Sequence, residues 1–207
     1  MSEPGITVLG SGSAAAAPDV LVLQLGAEVR HPNVSAALGQ ASAALSAMVA
    51  RLRAAGVAEA DLRTSGASLW SQTDQHGRLT GHVANQQLTA KLRDLVTAGD
   101  LVVEVVAAGG EAARLHGLAF AFDDDTSLRA QAREQAFADA RAKAEQYAAL
   151  AGRPLGPVRR VREETGQHRP IPMRYAVAQS MAAESMPVEA GSQEITATVE
   201  VEWTFAD

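Results

Sequence analysis

The chain contains no cysteine, which removes disulfides, thiolate-ligated zinc, iron–sulfur clusters and thiol nucleophiles together. Aromatic residues make up only 4%, and 18 Lys and Arg are outnumbered by 24 Asp and Glu for a net charge of -6. So few stacking platforms on an acidic chain argue against a nucleic-acid binder. No apolar run approaches the ~20 residues of a membrane-spanning helix; Leu101 to Ala108, for instance, is interrupted by Glu104. The opening Met1-Ser2-Glu3-Pro4-Gly5 lacks the basic, apolar and small-residue order of a secretory signal and passes straight into Ile6-Thr7-Val8-Leu9. This predicts a cytoplasmic protein, or a periplasmic or secreted one if a leader has been removed. What remains is an ordinary globular composition, 47% apolar and 20% charged in 207 residues, enough for one domain or two small ones with a sizeable core.

Ile6 to Leu9 reads as a strand, and Gly10-Ser11-Gly12-Ser13 after it imitates a dinucleotide-binding turn. Such a turn must open a helix. Here Pro18-Asp19 leads into Val20 to Arg30, another strand-like run, so the glycines are expected to mark a bend or bulge. Asn33 is an N-cap for a helix with Leu38, Ala41, Leu45, Met48, Val49 and Leu52 at helical spacing, stopped by Gly56. Ser65 to Thr73 and Leu79 to Leu92 form a long hairpin around the turn Asp74-Gln75-His76-Gly77. Asp94 to Ala108 is a second helical segment ended by Gly109-Gly110, and Leu115 to Phe122 a strand.

Asp123-Asp124-Asp125-Thr126 is expected to cap a long helix from about Ser127 to Ala151, with Leu128, Ala132, Phe137, Ala140, Ala144, Tyr147 and Ala148 broadly on one side and Gly152 as its stop. Pro157 to Glu164 is a short strand and Thr165 to Gly191 an extended loop rich in Pro and Met. Ile195, Ala197, Val199, Val201, Trp203 and Phe205 alternate with polar residues, the pattern of a strand with one buried face. The order ββαββαβαββ predicts an α+β fold, antiparallel sheet with helices on one face, containing a ferredoxin-like βαββαβ unit between residues 20 and 122. The chain reads as one domain, residues 1–207, with 20–122 as one subdomain and 1–19 plus 123–207 as another.

Several fragments together resemble the SIMPL-domain family. They are Ile6-Thr7-Val8-Leu9-Gly10-Ser11-Gly12, Ala17-Pro18-Asp19, and Gly56-Val57 with Asp61 and Thr64. Later come Ala132, Ala136, Ala140, Ala142-Lys143-Ala144, Leu150-Ala151-Gly152, Leu155-Gly156 and Ile195-Thr196-Ala197-Thr198-Val199. The resemblance covers nearly the whole chain. It implies a bacterial protein without an assigned enzymatic activity, akin to periplasmic and outer-membrane-associated immunogenic proteins, some of which build ring-like or channel-like homo-oligomers and some of which are linked to stress tolerance.

No catalytic or cofactor-binding residue is assigned. Serines occur outside any Gly-x-Ser-x-Gly turn, which leaves a hydrolase without positive support. His76, His82 and Asp74, near the hairpin turn, are the residues to examine for a metal, against the reading of a polar turn tip. His168, Met173, Met181 and Met186 in the long loop could suit Cu(I) or serve as packing groups. Asp123, Asp124 and Asp125 are read as caps rather than cation ligands, and Arg159, Arg160 and Arg162, followed by Glu163 and Glu164, as a strand edge or subunit contact. The expectation is a non-enzymatic, self-assembling scaffold or interaction module without cofactor. It would contact its own copies, or a protein partner through residues 165–191, and neither nucleic acid nor a membrane-spanning segment enters. The alternative is a small-molecule or metal-binding protein using a cleft or the hairpin and long-loop region.

Overall fold

Strict alternation makes the last strand the simplest element to explain. Ile195, Ala197, Val199, Val201 and Trp203 are buried while the residues between them reach solvent. The computed structural model describes residues 5–164, 171–172 and 190–206. It has an α+β fold whose strands and helices group into two compact units, one from residues 5–18, 124–164, 171–172 and 191–206, the other from residues 19–123.

The unit holding both chain ends contains β1 (Gly5–Ala16), and the other unit supplies β2 (Val20–His31), α1 (Val34–Ala54), β3 (Leu62–Thr73), β4 (Leu79–Leu92), α2 (Ala98–Gly109) and β5 (Ala113–Ala121). The chain then completes the first unit with α3 (Thr126–Leu150), β6 (Leu155–Glu163), the two-residue β7 (Ile171–Pro172) and β8 (Gln193–Phe205). The sheet of the first unit runs β1-β8-β6, with β7 also on β8; that of the second runs β3-β4-β2-β5, and all pairings are antiparallel. In the second unit the strand that precedes the first helix pairs with the third and fourth strands, which is the ferredoxin-like order.

In that second unit α1 and α2 cover one sheet face. Leu21, Leu23, Leu25, Met48, Leu52, Val102 and Val105 are fully buried there. Asn33 caps α1 as its pattern requires, its side chain accepting from the Ala36 amide at 3.0 Å, and Gly56 terminates the segment at φ 86°. The second helix starts later than its apolar spacing suggested. Asp94 accepts from the Val96 and Thr97 amides and from the Thr97 hydroxyl, so residues 94–97 form a turn before Ala98.

In the first unit α3 buries Ala132, Ala136, Ala140, Ala144 and Ala148 against β1 and β8. Tyr147, expected on the apolar side, is instead 56% exposed. The expected bend at Gly10 and Gly12 is also absent, since β1 pairs with β8 without interruption from Gly5 opposite Thr204 to Ala16 opposite Gln193. The glycines answer a different need. A Cβ on Gly10 would lie 2.0 Å from the Ala136 carbonyl oxygen, and one on Gly12 2.3 Å from that of Ala132, so the helix backbone rests directly on a strand that carries no side chains at those two points. The segment expected to be one loop contains β7, where Ile171 and Pro172 pair with Glu194 and Gln193. His168, Met173, Met181 and Met186 lie outside the described residues.

Candidate interaction surface

Among the described residues β1, β6 and the two-residue β7 end one sheet and β3 and β5 the other, and an unpaired strand edge is a template for another chain unless something blocks it. In β1 the block comes from α3. Gln135, Asp139 and Lys143 stand one turn apart and reach the strand's outward backbone groups: Ser13 N–H donates to Gln135 Oε1 at 3.4 Å, Ser11 N–H to Asp139 Oδ2 at 2.8 Å, and Lys143 Nζ to the Leu9 carbonyl at 3.0 Å. Lys143 also pairs with Asp139 at 2.6 Å. This pair and the Ser11 amide hold the Asp139 carboxyl below the usual range.

Charge and irregularity protect the next two edges. β6 contains Pro157 and makes two register shifts against β8, and Arg159 pairs with Glu202 at 3.1 Å while Arg133 pairs with Glu163 at 2.9 Å. The arginine cluster thus stands on an edge strand, where its pattern placed it. β5 is irregular between Gln24 and Leu25 of its neighbour, and its Arg114 lies 3.6 Å from Glu28.

β3 differs from all three. From Thr64 to Thr73 it carries no charged residue and no proline, and among the described residues it borders β4 alone. Its two shifts in register fall near its ends, between Thr64 and Gly66 and between Gln72 and Thr73, so Gly66 to Gln72 pairs with β4 without interruption. Leu69 and Trp70, on opposite faces of its middle, are 42% and 45% exposed. The β3–β4 ribbon also outruns its support, because β2 ends with His31 opposite His82 whereas β3 and β4 continue to Thr73 opposite Leu79. The projecting arm is internally braced. Thr80 Oγ1 donates to the Gln72 carbonyl and accepts from Arg30 Nη2, both at 3.0 Å. Asp74 Oδ1 accepts from the amides of His76 and Arg78 at 2.8 and 3.0 Å, and Gly77 closes the turn at φ 77°. Exposed Leu79 follows.

These contacts decide where the metal candidates stand. Asp74 is folded into the turn and His76 sits in the turn loop, while His82 lies within β4 opposite Ser71, whose hydroxyl is 3.3 Å from its Nδ1. The three are not brought together. The imidazole beside His82 is instead that of His31, whose Nδ1 accepts from the Asn33 amide at 2.9 Å. Among the described residues no three His, Asp or Glu side chains are grouped as a metal requires.

The acidic run before α3 caps it only in part. Asp124 Oδ1 accepts from the N–H of Thr126, the first residue of α3, at 2.9 Å, whereas Asp125 at the N-cap makes no side-chain cap bond and pairs with Arg129 at 2.6 Å. Asp123 binds Lys91 and, at 2.5 Å, Arg93, which in turn holds Asp61 through two contacts at 2.8 and 3.0 Å. Arg93 and then Lys91 depress the Asp123 carboxyl to about 2, Arg93 lowers Asp61, and the two carboxylates raise Arg93. Asp61, Lys91 and Arg93 border a pocket of about 240 Å³ with Val57, Thr97 and Leu101. Its charges are committed to one another. A shallower groove of about 630 Å³ in the first unit lies between β1 and Lys143, Tyr147 and Phe205.

The SIMPL family, described as a protein of unknown function (DUF541), matches residues 6–203. The chain is 27% identical over 208 residues to the 26 kDa periplasmic immunogenic protein of Brucella melitensis, spanning 95% of this chain and 82% of that protein. The protein of the same name from Brucella abortus is equally similar. The Uncharacterized protein YggE of Escherichia coli is 29% identical over 192 residues, 90% of this chain and 75% of the relative.

Proposed function

The chain belongs to the SIMPL family, and from that membership we propose that it is a self-associating, non-catalytic interaction module whose contact surface is the β3–β4 arm. The observation that carries this reading is the contrast between edges: β1 is sealed by α3 side chains, whereas β3 offers an uncharged edge with Leu69 and Trp70 exposed at its middle. An open edge with apolar residues suits association by strand addition. The relatives' name supports the periplasm as the place of action over the cytoplasm that the opening residues suggested. Light scattering across a wide concentration range tests the reading. The expected result is a mass that rises above the 21.5 kDa of one chain and a smaller mass for Trp70→Ser. A constant single-chain mass would refute it.

The competing reading, a small-molecule binder, would use the pocket beside Arg93. Thermal shift against metabolites and divalent metals separates the two, because a ligand held by the folded state raises its melting temperature by mass action.

A further inference from the structure

We propose that the free edge of β3 pairs antiparallel with the same edge of a second copy, about a two-fold axis that passes through Leu69 or Trp70 and joins two four-stranded sheets into one. This rests on the self-association reading above and names its partner and its register.

The choice of occupant follows from the strand itself. A two-fold axis perpendicular to a sheet sets each residue opposite one at the same distance on the far side of the axis, so the strand must tolerate its own reversed sequence. Like charges placed directly opposite oppose pairing, and the segment from Thr64 to Thr73 has none to place. β6 would bring Arg159, Arg160 and Arg162 of two copies into one short ladder, and β5 would bring Arg114. The outward backbone groups of β1 at Leu9, Ser11 and Ser13 are already taken.

Register follows from the pleat. Residues directly opposite each other point to the same face, and Leu69 and Trp70 point to opposite faces, as their partners Ala84 and Val83 on β4 require. The axis therefore passes through a residue rather than between two. With the axis on Trp70, the indole meets its own copy and Leu69 meets Ser71; with the axis on Leu69, Trp70 meets Ser68 and Ala67 meets Ser71. Either arrangement covers the exposed apolar middle of the strand, where contact residues contribute most to association.

The absence of cysteine makes the test direct. Single variants Leu69→Cys and Trp70→Cys, oxidised mildly at a concentration where wild type is associated, are expected to yield a covalent dimer at the on-axis position, since facing Cα atoms there fall within disulfide reach. Leu115→Cys on β5 and Val158→Cys on β6, equally exposed, are expected to remain uncrosslinked. Ser68→Lys, on the edge but outside any core, is expected to weaken association by roughly tenfold or more with an unchanged circular dichroism spectrum. If neither β3 cysteine crosslinks, or the β5 or β6 cysteine crosslinks instead, while scattering still reports assembly, the β3 pairing is overturned and self-association stands. A chain that scatters as a monomer at every concentration overturns both.

Discussion

Gly10→Ala is the substitution whose consequence the packing fixes most tightly. The added methyl would sit 2.0 Å from the Ala136 carbonyl oxygen and 2.6 Å from both the amide nitrogen and Cβ of Ala140. Ordinary contact begins near 3.4 Å, so α3 must move by about 1.4 Å, and no side-chain rotation can relieve a clash with backbone. A gap of ~0.5–1 Å already forfeits a quarter to a half of a dispersion contact. The shift therefore loosens Ala132, Ala136, Ala140 and Ala144 together and lengthens the bonds from Asp139 and Lys143 to β1. Overpacking costs about 1–3 kcal/mol when side chains can yield. With backbone on the far side, about 3 kcal/mol or more is expected, equivalent to ~6–12 °C in Tm for a chain of this size. Trp203, 3% exposed and in the same unit, reports the transition by fluorescence in a Trp70→Phe background, so the reading comes from the unit that contains β1. Gly39→Ala is the control. Gly39 lies on the exposed side of α1 with nothing within 4 Å of a new Cβ, and the change should stabilise by about 0.5–1 kcal/mol through helix propensity. If Gly10→Ala unfolds within about 1 kcal/mol of wild type by the overpacking scale, the close seating of α3 on β1 is wrong.

Asp123 has a folded pKa of about 2 against an ordinary value of 3.8, so its contribution is complete above pH 4 and lost as pH falls through about 2; urea melts of Asp123→Asn should differ from wild type at pH 7, converge toward pH 2, and differ less in high salt, and a difference that grows on acidification would contradict the pairing. Asp139→Ala removes the acceptor of the Ser11 amide, and that amide should exchange with solvent faster while amides facing β8 keep their protection. Asn33→Ala removes the cap on α1 and should cost about 1 kcal/mol in chemical denaturation, with Asn33→Ser close to wild type.

Elements whose signals are local were legible in the sequence. The alternation of β8, the Asn33 cap and the Gly56 stop of α1, and the order of the βαββαβ unit all follow from neighbours a few positions apart. The exceptions share a cause, a partner distant in the chain. Gly10 reads as a bulge because nothing nearby reveals that Ala136 will lie against it. Asp123 reads as a helix cap because Arg93, its partner, closes the other end of a strand three elements earlier. Tyr147 falls on the apolar side by spacing, yet the buried stripe repeats every four residues, Ala132 to Ala148, and so leaves position 147 in solvent. At the hairpin, His76 falls in the turn while His82 pairs with Ser71, and the register of β2 on β4, set far from the turn, places His31 beside the latter. The uncharged run of β3 is visible in the sequence, but its meaning depends on β3 being an edge, and that is a property of the sheet.

The pairing of β1 with β8 also imposes a timetable on synthesis. Ala16 waits for Gln193, and Gly5 for Thr204, which at ~5–20 residues per second is a delay of roughly ten to forty seconds. During that interval Asp19 to Asp123 emerges whole and can settle its own sheet, while β1 has no strand partner even once α3 has been made. β1 is thus made before the second unit and placed after it. Any factor that holds β1 as it emerges, or any strand-forming segment that meets it early, competes with β8 for the same backbone groups before β8 exists.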